Sequence, residues 1–169
     1  DMKAFELERL MLHRLAELDH EIREAYGTYD YRKVIALLSH FMNTELSAFY
    51  FDIRKDALYC EAPSSLKRRA ALTVVDHLCE AILKWLAPIL SFTAEEIWRF
   101  LPGERAESVF LSTWAAIPAV PAGSLAVDWT RVLEVRSAVL RELERLRIAG
   151  EIGAPLDAIV EIYAGPETV

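Results

Sequence analysis

The chain has 169 residues, 53% of them apolar, with seven more acidic than basic side chains, so it suffices for one domain, or one domain plus the edge of a second, with a sizeable core. No segment reaches the roughly 18 uninterrupted apolar residues of a membrane span, and Asp1 to Arg9 is too charged for a secretory leader, so the expectation is a soluble cytoplasmic protein with no membrane partner. A net charge of -7 argues against a free-standing polyanion binder, unless positive charge is segregated or the domain works tethered to a larger protein.

Glycine and proline are scarce and fall at punctuation points, which predicts long helices. Leu7, Met11, Leu15, Leu18, Ile22 and Tyr26 recur in steps of three and four, a helical stripe over about 3–26, with Gly27 as its stop. Asp30 can cap a second helix to about Ile53, with Val34, Leu38, Phe41, Met42, Leu46 and Phe49 facing inward. Residues 54–64 are mixed in character and contain Pro63, and Ser64 and Ser65 can cap a third helix. Its inner face is Ala71, Val74, Val75, Leu78, Ile82, Trp85 and Leu86 before Pro88. Thr93 and Glu96 have capping-box spacing at the head of a short helix that Pro102-Gly103 stops. Residues 104–123 are loop-like apart from Val109 to Leu111 and Trp114. A last helix is expected over about 125–149, with Trp129, Val132, Leu133, Leu140, Leu143 and Leu146 inward and Gly150 as its stop. From Leu156 to Tyr163 the pattern alternates, which is strand spacing. A single strand is unstable alone, so a following α/β element, cut short, is expected there.

The residues offer no catalytic constellation. His13, His20, His40 and His77 form no metal-binding pattern, and Cys60 and Cys79 lie 19 positions apart with no C-x-x-C pair. They read as ordinary helix histidines and inert thiols. There is no G-x-S-x-G, no G-x-G-x-x-G and no P-loop. Glu95 and Glu96 suit helix-start electrostatics better than acid–base work.

Cations gather in two places. Arg54 and Lys55 lie where the second helix runs out, and Lys67, Arg68 and Arg69 form the first turn of the third. Cations at a helix N-terminus oppose the macrodipole, so a compensating anion is expected there. A local carboxylate such as Glu61 or Asp56 is the plain choice, and a nucleic-acid phosphate is the functional one. Tyr50, Phe51 and Tyr59 stand near the first cluster, suited either to helix packing or to stacking on an unpaired base. The arginines of the last helix alternate with Glu134, Glu142 and Glu144, the signature of a solvated, salt-laced face.

The stretch LSAFYFDIRKDALYC, Leu46 to Cys60, resembles a signature of isoleucyl-tRNA synthetases, which reads approximately L-S-x-F-Y-x-D-I-x-K-D-x-L-Y in the second helix of their anticodon domain. Lys67-Arg68-Arg69-Ala70 to Thr73, Leu86 to Trp98, Ser108 to Leu111 with Trp114, and the run from Val135 to Tyr163 are similar to the family's following segments in the same order. Ala57 stands where that family usually has arginine, Phe110 where histidine is common, and Ala115 where proline follows the tryptophan.

The resemblance implies an all-α, antiparallel bundle of four to five helices, the anticodon-binding domain of a class I synthetase, over 1–150. A short C-terminal strand of a truncated element over 151–169 completes the expectation. It implies a parent isoleucine–tRNA ligase that uses ATP with magnesium. The H-I-G-H and K-M-S-K-S motifs, the editing domain and the cysteine-rich zinc element of many relatives are not in this chain. The fragment is therefore expected to be non-catalytic and without cofactor, covalently attached to the catalytic part and monomeric. It would bind the tRNA anticodon stem and loop through Arg54, Lys55, Lys67, Arg68 and Arg69. A valyl- or leucyl-type anticodon domain, or a helical protein-interaction scaffold, is the alternative.

Overall fold

The computed structural model describes residues 5–120, 125–163 and 165. Its helices are α1 (Glu6–Gly27), α2 (Tyr31–His40), a π-helical stretch (Phe41–Phe51), α3 (Asp52–Tyr59), α4 (Leu66–Leu86), α5 (Ser91–Phe100) and α6 (Trp129–Ile148). Short 3-10 turns lie at Val109–Leu111 and Pro155–Asp157. The fold is all-α. Two compact units divide the chain, Asp1–Ala126 and Val127–Val169.

In the first unit, α1 packs against α2 and α4, and α3 packs on α4. The α1 stripe is buried as its spacing requires, with Leu15 and Ile22 fully enclosed alongside Val34, Leu38, Phe41, Leu78 and Trp85. Fully burying side chains of this size stabilises by about 1.5–3 kcal/mol each. A satellite core joins α4, α5 and the 3-10 turn through Leu83, Ala87, Ala94, Trp98 and Val109. Glu95 ties that turn down by accepting from the Ser108 hydroxyl at 2.8 Å and the Val109 amide at 3.1 Å.

Helix two departs from its expected face because of how it is wound. Buried Phe41, Leu46 and Tyr50 are separated by steps of five and four, wider than the 3.6-residue α-helical turn and suited to i→i+5 bonding. The wide turn rotates Met42, expected inside, out to 41% exposure, and brings Tyr50 to 0%. The helix then continues through α3 to Tyr59 rather than stopping near Ile53, which is exposed.

Further boundaries also differ. Helix α5 starts at Ser91, so Thr93 lies inside it and does not cap it. Asp128 caps α6 by accepting from the Arg131 amide at 3.2 Å. Within α6 no residue is fully buried, and Val132 and Leu140, expected inward, are exposed. Its charged face is laced as expected, with Arg131–Glu134, Arg145–Glu142 and Arg147–Glu144 pairs one turn apart.

No strand forms among the described residues of the alternating segment, and Leu156, Ile159 and Tyr163 are almost fully exposed. Alternation specifies which side each residue faces. A ladder needs a second backbone to pair with, and none is supplied among the described residues.

Candidate nucleic-acid interface

The five cations proposed from sequence have different fates. Arg54 sits on α3 with its guanidinium against Glu8 of α1, Nε to Oε1 at 2.6 Å and Nη2 to Oε2 at 2.8 Å. The two side chains are only 12% and 5% exposed. A bidentate pair at that depth is a structural tie, so the Arg54 fork that the sequence offered to a phosphate is engaged by Glu8 instead. The fully buried Tyr50 phenol lies beside this pair, and burial raises its pKa, reinforced by the Glu8 charge. Lys55, one residue on, is exposed and bonds Asp52 at 2.7 Å, which raises its pKa.

At the head of α4 the N-cap Ser65 makes no side-chain cap, so the first amides of the helix have no hydroxyl partner there. Arg68 turns back to donate to the Glu61 carbonyl at 2.7 Å, closing the loop between α3 and α4. Lys67 and Arg69 are exposed and have no ion-pair partner among the described residues. Two positions apart on a helix means about 200° of rotation, so they flank the helix rather than lie side by side. The five residues do not form one stripe. The pair left available is Lys67 and Arg69, with Lys55 on a weak, solvent-exposed tether.

Tyr59, at the end of α3, is 82% exposed, whereas Tyr50 is enclosed and Phe51 half-buried. Of the three aromatics considered for stacking, Tyr59 alone offers an open ring.

The other end of the bundle holds a polar hub with no counterpart in the sequence expectations. Asp19 on α1 accepts through Oδ1 from the indole N–H of Trp85 at 3.2 Å and of Trp114 at 2.6 Å, and through Oδ2 from Arg23 at 2.7 Å. The Arg23 guanidinium lies 4.8 Å from the Trp114 ring centroid. Tyr26 donates its hydroxyl to the Trp85 carbonyl and meets Trp114 edge-on. The hub joins α1, α4 and the loop carrying Trp114, and it backs the turn between α1 and α2, where Tyr29 and Tyr31 are exposed. No linear motif links Asp19 with Trp85 and Trp114. Only the spacing of Trp85 on an apolar face hinted that its N–H would need a partner.

Two further charge clusters in this unit are structural. Arg14 forks onto Glu45 with two 2.9 Å bonds, which together with Glu17 raises its pKa. Arg105 bridges Asp76 and Glu80, and Glu80 also accepts from Lys84 at 2.6 Å. No helix among the described residues is long and apolar enough to cross a membrane.

Residues 8–162 match a family model described as the anticodon-binding domain of tRNA ligase. Across 159 residues the chain is 53% identical to the isoleucine–tRNA ligase of Rhodopseudomonas palustris, covering 94% of this chain and 16% of that protein. Against the isoleucine–tRNA ligase of Bradyrhizobium diazoefficiens it is 54% identical, with the same coverage of each. It is also 43% identical over 169 residues to that of Methylococcus capsulatus, covering 95% of this chain and 17% of the relative. The chain thus spans about a sixth of the length of these relatives. The family match begins on α1 and runs through α6 and beyond, and by that match the chain belongs to the family of anticodon-binding domains of tRNA ligases.

Proposed function

We propose that this chain is the tRNA anticodon-arm recognition domain of an isoleucine–tRNA ligase, a monomeric cytoplasmic enzyme that joins isoleucine to its tRNA with ATP and magnesium. The observation that carries the reading is the match of residues 8–162 to the anticodon-binding family, together with about half identity to isoleucine–tRNA ligases over nearly the whole chain. In this proposal the domain does no bond chemistry and its contribution is positioning. The ATP site, and any zinc element, belong to parts of the ligase outside this chain.

In the proposed docking mode, Lys67 and Arg69 are the primary phosphate contacts, because no carboxylate competes for them among the described residues. Lys55 joins by exchanging Asp52 for a phosphate, and Arg68 holds the loop in place through Glu61. Arg54 acts from behind, by fixing α3 to α1. Phosphate contacts set orientation without reading sequence, so discrimination of the anticodon falls to side chains that meet unpaired bases.

The test is a fluorescence-anisotropy titration of a tRNA anticodon stem–loop at several salt concentrations, comparing the native chain with Lys67→Gln/Arg69→Gln. Two lost phosphate contacts should weaken binding and reduce the log–log salt slope by roughly 1.5–2. An unchanged affinity and slope would remove both residues from the interface.

A further inference from the structure

We infer that the turn between α1 and α2 is a stacking platform for one unpaired RNA base, with Tyr29 and Tyr31 as its rings and Arg32 as its phosphate partner. The inference rests on the RNA-binding reading above and adds a site to it.

Helix α1 ends in a double hydrogen bond: the Asp30 amide donates to the Ala25 carbonyl at 2.8 Å and the Tyr29 amide to the Tyr26 carbonyl at 3.1 Å. This is the Schellman ending, whose left-handed residue is normally glycine. Helix α6 closes the same way, Glu151 to Leu146 and Gly150 to Arg147, with Gly150 at φ +75°. At the end of α1 the left-handed residue is Tyr29, at φ +58°. Gly27 lies two residues too early and is used up inside the helix. A bulky residue is disfavoured in that conformation, and strain of this kind, where it persists, points towards function.

Burial does not account for the tyrosine, since its side chain is 77% exposed. Its ring instead begins a chain of edge-to-face contacts. Tyr29 meets Tyr31 at 6.4 Å and 72°, Tyr31 meets Tyr26 at 5.8 Å and 70°, and Tyr26 meets Trp114 at 5.7 Å and 87°. Asp19 and the Trp85 carbonyl anchor the inner end of that chain. The outer rings are backed by a rigid stack, and Tyr31 is itself 47% exposed.

Every base has a π-face, so a fixed aromatic ring accepts an unpaired base whatever its identity. A base inside a duplex cannot reach it. Arg32 follows Tyr31 in the chain, is exposed, and has no ion-pair partner among the described residues. Beside it Lys33 holds Glu24 only loosely, at 3.4 Å. One open ring face, Tyr29, braced edge-on by Tyr31, together with an uncommitted guanidinium, matches a nucleotide in a single-stranded loop, with its base stacked and its phosphate paired.

The experiment uses the 169-residue chain and anticodon stem–loops carrying 2-aminopurine singly at each loop position. Tyr29→Gly suits the local backbone and removes the ring. It should weaken binding on the order of tenfold, about 1.4 kcal/mol, and abolish aminopurine quenching at one loop position, with the salt slope unchanged. Tyr29→Phe should restore both. Tyr31→Leu, which does not touch the strained position, should weaken binding in the same sense, and Arg32→Gln should lower the salt slope by about one contact. If Tyr29→Gly and Tyr31→Leu bind and quench like the native chain, the platform is wrong while RNA binding stands. If the native chain itself does not bind the stem–loop, the anticodon-arm proposal fails, and the platform falls with it.

Discussion

Replacing Glu8 by glutamine strands Arg54 as a charged group with no ionic partner in a site where its side chain is 12% exposed. Breaking a buried pair from one side costs about 3–5 kcal/mol, because the surviving charge must be desolvated without compensation. The unit containing the pair spans Asp1–Ala126, and at roughly 0.05–0.15 kcal/mol per residue such a unit has a total stability of about 6–19 kcal/mol. The single change should therefore remove a large fraction of it. With a urea dependence of about 1–3 kcal/mol/M, the midpoint followed by circular dichroism should fall by about 2 M. The double variant Glu8→Gln/Arg54→Met removes the stranded charge and should recover most of the loss, leaving it within about 1–2 kcal/mol of native. Arg54→Met alone should destabilise the chain yet leave the salt slope of RNA binding untouched. The reasoning is refuted if Glu8→Gln costs less than about 1 kcal/mol while Arg54→Met flattens that slope, since Arg54 would then be facing phosphate.

Two further outcomes follow from the polar contacts. Asp19→Ala leaves two indole donors, those of Trp85 and Trp114, without their acceptor, at about 1–3 kcal/mol for the enclosed Trp85 and less for the half-buried Trp114. Asp19→Asn keeps an acceptor oxygen and should cost clearly less in thermal unfolding followed by tryptophan fluorescence, so equal losses would show that the hub is not held by these bonds. The Glu80 carboxyl is held below its ordinary value chiefly by the hydrogen bond from Lys84, with Arg105 helping and burial opposing. A folded-state pKa below the unfolded one gives stability that is present above about pH 4.3 and is lost as pH falls through the folded value. Glu80→Gln should therefore flatten the acid limb of Tm against pH below that point and leave the neutral region parallel to native. Coincident acid limbs would remove Glu80 from the account.

Much of the helical layout is legible in local spacing. The three-and-four steps from Leu7 to Tyr26 gave α1 its buried face, Asp30 caps α2 by accepting from the Lys33 amide at 2.9 Å, and Gly150 ends α6 in the left-handed conformation that glycine accepts. The strings from Leu46 to Cys60 and from Leu86 to Trp98 carried the family. Local spacing fails where geometry departs from 3.6 residues per turn. The widening from Phe41 to Phe51 exchanged Met42 for Tyr50 in the core, and the alternating tail from Leu156 meets no second strand among the described residues.

The candidate site was legible in part for a related reason. A cluster of cations is visible in the linear order, but whether each is available depends on which acids the fold brings near. Arg54 is claimed by Glu8, 46 positions away, Arg68 by a loop carbonyl, and Tyr29 is strained only because α1 ends where it does. Periodicity, caps and punctuation act over a few residues, so the chain's own order determined its helices and its family. Which charge is neutralised, which ring is covered and which backbone is strained depend on long-range contacts between helix faces, and those were decided only when the faces met.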